Sequence, residues 1–277
     1  MRRTASLSAA LALPARRVAC ALALAALLAA CVGAPTRPAV GGFVERRVVV
    51  EGVPRRYRVW VPAHAASGAR PPAILFLHGA GERGDDNLRQ TEVGLGPHLR
   101  AHAATFPALV VLPQAPPERD WSDEAAFAVA ALDAAVREFD ADPSRVYLTG
   151  LSMGGYGTWE LALRHPARFA ALVPVCPGVT PPAHRPTLRV DAVAADADPF
   201  AALAARLRDV PLWIFHGARD DVLPVGQSRR AHAALRAAGA RDARYTEFPD
   251  TGHDAWDPAY ATDALWPWLF AQRRPAR

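Results

Sequence analysis

The sequence predicts an α/β fold, with a mostly parallel central sheet, helices on both faces and an N-terminal antiparallel hairpin. Three observations carry the prediction. Short continuous apolar runs recur between Gly and Pro punctuation, as suits strands buried on both faces. Helical patterns separate these runs, which is the alternation of βαβ units. One run, Val146-Tyr147-Leu148, passes through Gly150-Leu151-Ser152-Met153-Gly154 straight into a helical pattern, so a strand must turn sharply into a helix there. The 277 residues, 51% of them hydrophobic, suffice for one large domain of this kind.

Residues 1–30 read as a targeting segment and not as fold. Arg2, Arg3, Arg16 and Arg17 precede or flank the apolar stretch Val18–Ala30, which is too short to span a bilayer comfortably. Leu28-Ala29-Ala30-Cys31 resembles a bacterial lipobox, in which the cysteine is lipidated; ordinary signal cleavage nearby, with Cys31 incidental, is the alternative. The expectation is an exported protein, periplasmic or at the cell surface, held to a membrane by a lipid at Cys31 if the lipobox is used. Residues 31–42, with Pro35 and Pro38, then read as a flexible tether, and residues 43–277 as one domain. Cys176 is the one cysteine in that domain, so no disulfide closes within it, and it reads as a small buried hydrophobe.

Within the domain, Arg46–Val50 and Arg55–Val61 read as a hairpin about Glu51-Gly52-Val53-Pro54. Ala73–Leu77 and Leu109–Leu112 are buried strands, with a broken helix over Leu88–Ala104 between them. Ser122 is the expected cap of a helix running to about Phe139, with Ala126, Val129, Ala130, Leu132 and Val136 on its apolar face. Val146–Leu151 is the strand before the sharp turn, and Met153–Arg164 the helix after it. Phe169–Val175, Leu212–Phe215 and Ala243–Phe248 complete the strands. Gln227–Ala238 is an amphipathic helix with Arg229, Arg230 and Arg236 outward, and Asp257–Gln272 a final helix that Pro267 kinks. Between two core strands, residues 177–209 make an excursion over the sheet, readable as a lid or as a solvated crossover.

Composition excludes some partners. No lysine occurs, so all 32 basic residues are arginine, and part of the formal charge of +5 lies in the leader. No basic block is interleaved with aromatics, so no nucleic-acid partner is expected. No Cys/His cluster has zinc-site spacing, and neither metal nor cofactor is expected.

The chemistry centres on Ser152. A side chain at Gly150 or Gly154 would collide with the flanking strand and helix, so the turn demands glycine and leaves the serine exposed. A serine hydroxyl is a poor nucleophile without an imidazole base, itself oriented by a carboxylate. Two later strands run into Asp220-Asp221 and into Gly252-His253, giving the order Ser, Asp, His. His253 is the base. Asp220 is preferred as the acid over Asp221, with Asp198 a distant third. The oxyanion formed on attack needs two N–H donors: the Met153 amide, and Ala80 (or Gly81) in the glycine-rich loop after the strand Ala73–Leu77. His78 orients that loop. His165 reads as a helix C-cap; His98, His102 and His232 as helix surface; His216 as structural. Trp121 and Trp256 are candidates for an aromatic wall at the substrate.

Four segments together resemble the α/β-hydrolase superfamily, in particular its bacterial secreted carboxylesterase and predicted-peptidase group, related to polyhydroxybutyrate-depolymerase-like and feruloyl-type esterases. They are residues 76–87 (FLHGAGERGDDN), Val146–Trp159, Phe215–Pro224 and Gly252–Trp256. The resemblance implies a Ser152–Asp220–His253 triad that cleaves a small-molecule carboxylic ester through an acyl-enzyme. It places the acid of an H-G-x-x-D-x-x-V-P pattern on Asp220, with Leu223 in place of valine. Pro177, where a glycine-rich turn is usual, and a long excursion over Thr180–Asp198 depart from the pattern near the expected substrate pocket. A serine peptidase acting on short peptides is the enzymatic alternative. A surface-anchored binding protein without activity is the other.

Overall fold

A computed structural model describes residues 41–63 and 70–274. The leader, Cys31 and nearly all of the tether lie outside the described residues. Eight strands form one sheet in the order β1-β2-β4-β3-β5-β6-β7-β8. They are β1 (Gly42–Val50), β2 (Val53–Val61), β3 (Ala73–Leu77), β4 (Leu109–Pro113), β5 (Val146–Leu151), β6 (Ala171–Val175), β7 (Leu212–Gly217) and β8 (Ala243–Phe248). Strands β3 to β8 pair in parallel, while β1–β2 and β2–β4 are antiparallel. Alternate residues of the central strands serve two apolar layers. Leu75, Leu77 and Leu148 belong to one, Ile74, Phe76 and Tyr147 to the other.

The hairpin is tighter than the sequence suggests. Its loop is Glu51-Gly52 alone, with φ of 51° and 80° as a two-residue primed turn requires. Pro54 pairs with Val49 one step from the closing pair Val50–Val53. Ladder alternation there turns its nitrogen away from β1, and β2 meets β4 only from Tyr57 onward, so no ladder bond is lost.

Helices α1 (Leu95–Ala101), α6 (Trp256–Tyr260) and α7 (Leu265–Ala271) cover one face. The other face carries α2 (Ala125–Glu138), α3 (Met153–Arg164), α4 (Pro199–Leu207) and α5 (Gly226–Ala237). Three expectations are corrected. Ser122 caps nothing: Asp123 and Glu124 close a turn on the Asp120 carbonyl, and α2 starts one residue beyond it. The buried face of α2 is Phe127, Ala128, Ala131, Leu132 and Ala135, and Ala126 is exposed. The final helix is two helices. A single one would put Pro267 in its interior, whereas a restart at Leu265 puts it in a first turn, where no N–H is needed.

The excursion between β6 and β7 is well packed. Val190, Val193, Phe200, Leu203 and Leu207 are buried in the core. Gln227 of α5 accepts from the amides of Val179 and Thr180 and donates to the Thr180 hydroxyl. Glu160 of α3 accepts from the Ala192 amide. Asp198, third among the carboxylate candidates, instead caps α4 by accepting from the amides of Phe200 and Ala201. No helix of the described residues is long and apolar enough to cross a membrane.

Candidate active site

Strand order reverses between β3 and β5: the chain leaves β3 towards β4 and leaves β5 towards β6. Loops at the carboxyl ends of two such neighbours part and leave a crevice. Ser152 follows β5 there, with φ 54° and ψ −117°, a backbone conformation that side chains other than glycine's rarely adopt. The glycines permit it. A Cβ at Gly150 would lie 2.2 Å from the Gly154 carbonyl oxygen, and one at Gly154 would lie 1.9 Å from that of Leu77. The loop after β3 lies against the serine, since a Cβ at Gly79 would stand 3.6 Å from that of Ser152.

Later strands bring the partners. His253, in the loop after β8, has Nε2 at 2.9 Å from the Ser152 hydroxyl and Nδ1 at 2.8 Å from Asp220 Oδ2. Asp220 follows β7. Its Oδ1 accepts from the amides of Val222 (2.9 Å) and Leu223 (2.8 Å), which fixes the carboxylate plane. Burial alone would raise its pKa. Hydrogen bonds from His216, His253 and the Leu223 amide outweigh that and hold the carboxyl well below the usual carboxylate range. Asp221 is exposed, and Arg219 pairs with Asp250 at 2.5 Å, so neither competes for His253.

Met153 is the first residue of α3, so its amide has no acceptor within the helix and sits beside the nucleophile. Ala80 opens a short 3₁₀ turn, Ala80–Glu82, directly after Gly79. His78 is buried at the root of that loop. Its Nε2 accepts from the Ala115 amide at 2.9 Å, and its Nδ1–H faces the Gly79 carbonyl at 2.6 Å. Burial pushes its pKa down to about 4, so the ring is neutral at ordinary pH.

The two tryptophans part company. Trp121 is 1% exposed and donates from Nε1 to the His78 carbonyl. It is a core residue under the loop, which corrects its candidacy as a substrate wall: its ring packs edge-on against His78 and under Gly157. Trp256 is half-buried with its ring 5.5 Å from that of His253. His165 is the C-cap of α3, whereas His98 is no simple surface residue, being stacked between His102 and Trp266. Cys176 is buried and lies with Asp220 and His253 within 4.8 Å. Burial and the nearby Asp220 push its thiol up, and both His253 nitrogens are already engaged, so these three are poorly disposed to hold a metal.

The sequence reads His216 as structural without its contact to Asp220, and it gives no sign of the cluster of Arg83, Asp120 and Arg185. His216 touches the same Asp220 oxygen as His253, at 3.1 Å. Arg83 and Arg185 both bind Asp120 Oδ1, joining the loop after β3, the loop after β4 and the excursion. His216 stands four residues before Asp220, a spacing that could have signalled contact. The three members of the arginine cluster carry no such signal.

The prolyl oligopeptidase family profile matches residues 122–183. Over 184 residues the chain is 28% identical to the bifunctional acetylxylan esterase/xylanase XynS20E of Neocallimastix patriciarum, covering 62% of this chain and 22% of that protein. The structure of a thermostable esterase superposes with a TM-score of 0.67 at 31% identity, over 84% of this chain and 63% of that one. A ferulic acid esterase superposes at 0.64 with 19% identity, over 83% and 97%, a likeness of fold alone. The chain thus spans about a fifth of the curated relative and less than two thirds of the thermostable esterase. Sheet order, strand–turn–helix and these likenesses agree: the chain has the α/β-hydrolase fold and is similar to esterases and, over residues 122–183, to the prolyl oligopeptidase family.

Proposed function

We propose that the protein is an exported serine hydrolase that cleaves carboxylic esters through an acyl-enzyme. The observation that carries the reading is the continuous contact Ser152 Oγ–His253 Nε2 (2.9 Å) and His253 Nδ1–Asp220 Oδ2 (2.8 Å). Neutral His253 takes the hydroxyl proton on Nε2 as Ser152 attacks the carbonyl carbon. Asp220 holds the ring in the Nδ1–H tautomer and stabilises the imidazolium. The Met153 and Ala80 amides receive the oxyanion. The imidazolium returns its proton to the leaving alcohol, and the same nitrogen then activates water against the acyl-enzyme. Trp256, beside His253, forms one wall for the substrate. Residues 177–209 are a packed crossover in this reading, because their core contacts leave only local freedom.

Removing Ser152 leaves the oxyanion donors without a nucleophile. Ser152→Ala lowers kcat on p-nitrophenyl acetate by on the order of 10⁶-fold, and a fluorophosphonate labels the parent chain at Ser152 but not the variant. Retained turnover in the variant sinks the reading, and absence of labelling in the parent favours a binding protein. The prolyl oligopeptidase match supports a second reading, a peptidase for short peptides. Acetyl and feruloyl esters, assayed beside peptide p-nitroanilides, separate the two. The ester reading requires higher kcat/KM on the esters than chemical reactivity alone provides. Export and the lipid at Cys31 belong to the same proposal, on the strength of the leader's composition.

A further inference from the structure

His216 is the penultimate residue of β7 and is wholly buried. Its Nε2 faces two acceptors, the Leu223 carbonyl at 3.0 Å and Asp220 Oδ2 at 3.1 Å. Its Nδ1 lies 2.7 Å from the hydroxyl of Ser228, itself buried in α5. A carbonyl and a carboxylate can both be satisfied only by a proton on Nε2, which leaves Nδ1 to accept from Ser228. Asp220 Oδ2 therefore receives two imidazole N–H groups, one from His253 and one from His216.

We infer that His216, locked as its Nε2–H tautomer by Ser228, is a positioning residue of the triad that shares Asp220 Oδ2 with His253 and thereby tempers the basicity of His253. The inference rests on the proposed hydrolase reading of Ser152. The second donor holds the carboxylate in the plane of the His253 ring. It also takes up part of the charge that would otherwise fall on His253 alone, so the imidazolium is stabilised less than by an unshared carboxylate. Other titratable groups surround the cluster. Glu247 of β8 pairs in register with His216 and is bound by Arg229 of α5 and by Tyr245. The charges of Asp220 and Asp254 act on Cys176, and that of Asp220 acts on Tyr156 of α3, whose hydroxyl donates to the Thr180 carbonyl. These groups stay unchanged in the variants below, so a shift on replacing His216 reports the shared oxygen.

The test combines kinetics with spectroscopy on the full chain. His216→Gln, whose side-chain amide still donates, keeps kcat within about threefold. His216→Leu lowers kcat about tenfold to a hundredfold with KM nearly unchanged, and moves the acid limb of kcat/KM to higher pH. Fluorophosphonate titration normalises each preparation to its folded, reactive fraction. ¹⁵N-histidine NMR of the parent chain shows His216 protonated at Nε2 and bare at Nδ1 across the pH range of the rate profile. An Nδ1–H tautomer, an unmoved or lowered acid limb in His216→Leu, or equal loss in the Gln and Leu variants overturns the inference. If Ser152 of the parent chain fails to label, the hydrolase reading falls, and the tautomer measurement still decides the contact.

Discussion

Asp220 and Asp221 are adjacent and chemically identical, yet only one can serve His253. The backbone decides between them. The chain turns after β7 so that Asp220 Oδ1 takes the amides of Val222 and Leu223, which points Oδ2 inward to His253 and His216. One residue on, Asp221 faces solvent. Asp220→Asn presents a donor where His253 needs an acceptor, favours the wrong tautomer and lowers kcat by about 10⁴-fold. Asp221→Asn stays within about twofold, as exposed substitutions do. Steady-state ester hydrolysis of the two purified variants checks this, and a crippled Asp221→Asn would reassign the acid. The sequence prefers Asp220, with Asp221 a close rival and Asp198 a distant third, and it does not decide between the two neighbours, because the direction of a side chain in a loop depends on hydrogen bonds made across the fold.

At the scale of elements, the turn from β5 to α3 was readable because its constraint is local. A Cβ at Gly150 would meet the Gly154 carbonyl only four residues on, while the clash at Gly154 is with Leu77 of the neighbouring strand β3 and adds to that local limit. The linkage of the excursion was not readable, because it is made of single charges from separate segments. Asp120 is 14% exposed at its side chain and binds both Arg83 and Arg185. Removing the carboxylate leaves two guanidinium groups facing one another, partly buried, a state that repels. Asp120→Ala is therefore expected to loosen residues 177–190 and the loop after β3 together. Limited proteolysis detects this as cleavage near Arg185 at protease levels that leave the parent chain intact. Thermal unfolding falls by an amount on the order of 3 kcal/mol. Equal protease resistance in the two proteins would show that the contacts of Gln227 with Val179 and Thr180 suffice to hold the segment.

At the scale of the molecule, the stability of this fold is tied to pH through His78. Its folded-state pKa, near 4, lies below the ordinary 6.5. Between those values the unfolded chain takes up a proton that the native chain refuses, so stability falls as pH drops from 6.5 towards 4 and the loss is complete near 4. The contribution is about 3 kcal/mol. Urea unfolding across that range shows the decline, and His78→Gln, which cannot titrate, removes that part of it; an unchanged slope in the variant would refute the assignment to His78. The sequence by itself determined the alternation of strands and helices, the glycines of the turn and the chain order serine, aspartate, histidine, because these follow from periodicity, steric limits and chain order. It read the final helix as one and Trp121 as a substrate wall, and in both cases the outcome rests on packing. The tertiary structure alone decided that β3 and β5 are neighbours at the reversal of strand order, which sets the loop of Gly79 against Ser152. It also decided that His216 reaches the Asp220 carboxylate. Strand order and side-chain convergence are settled by which apolar faces can be buried together, a property of the whole chain that no local segment carries.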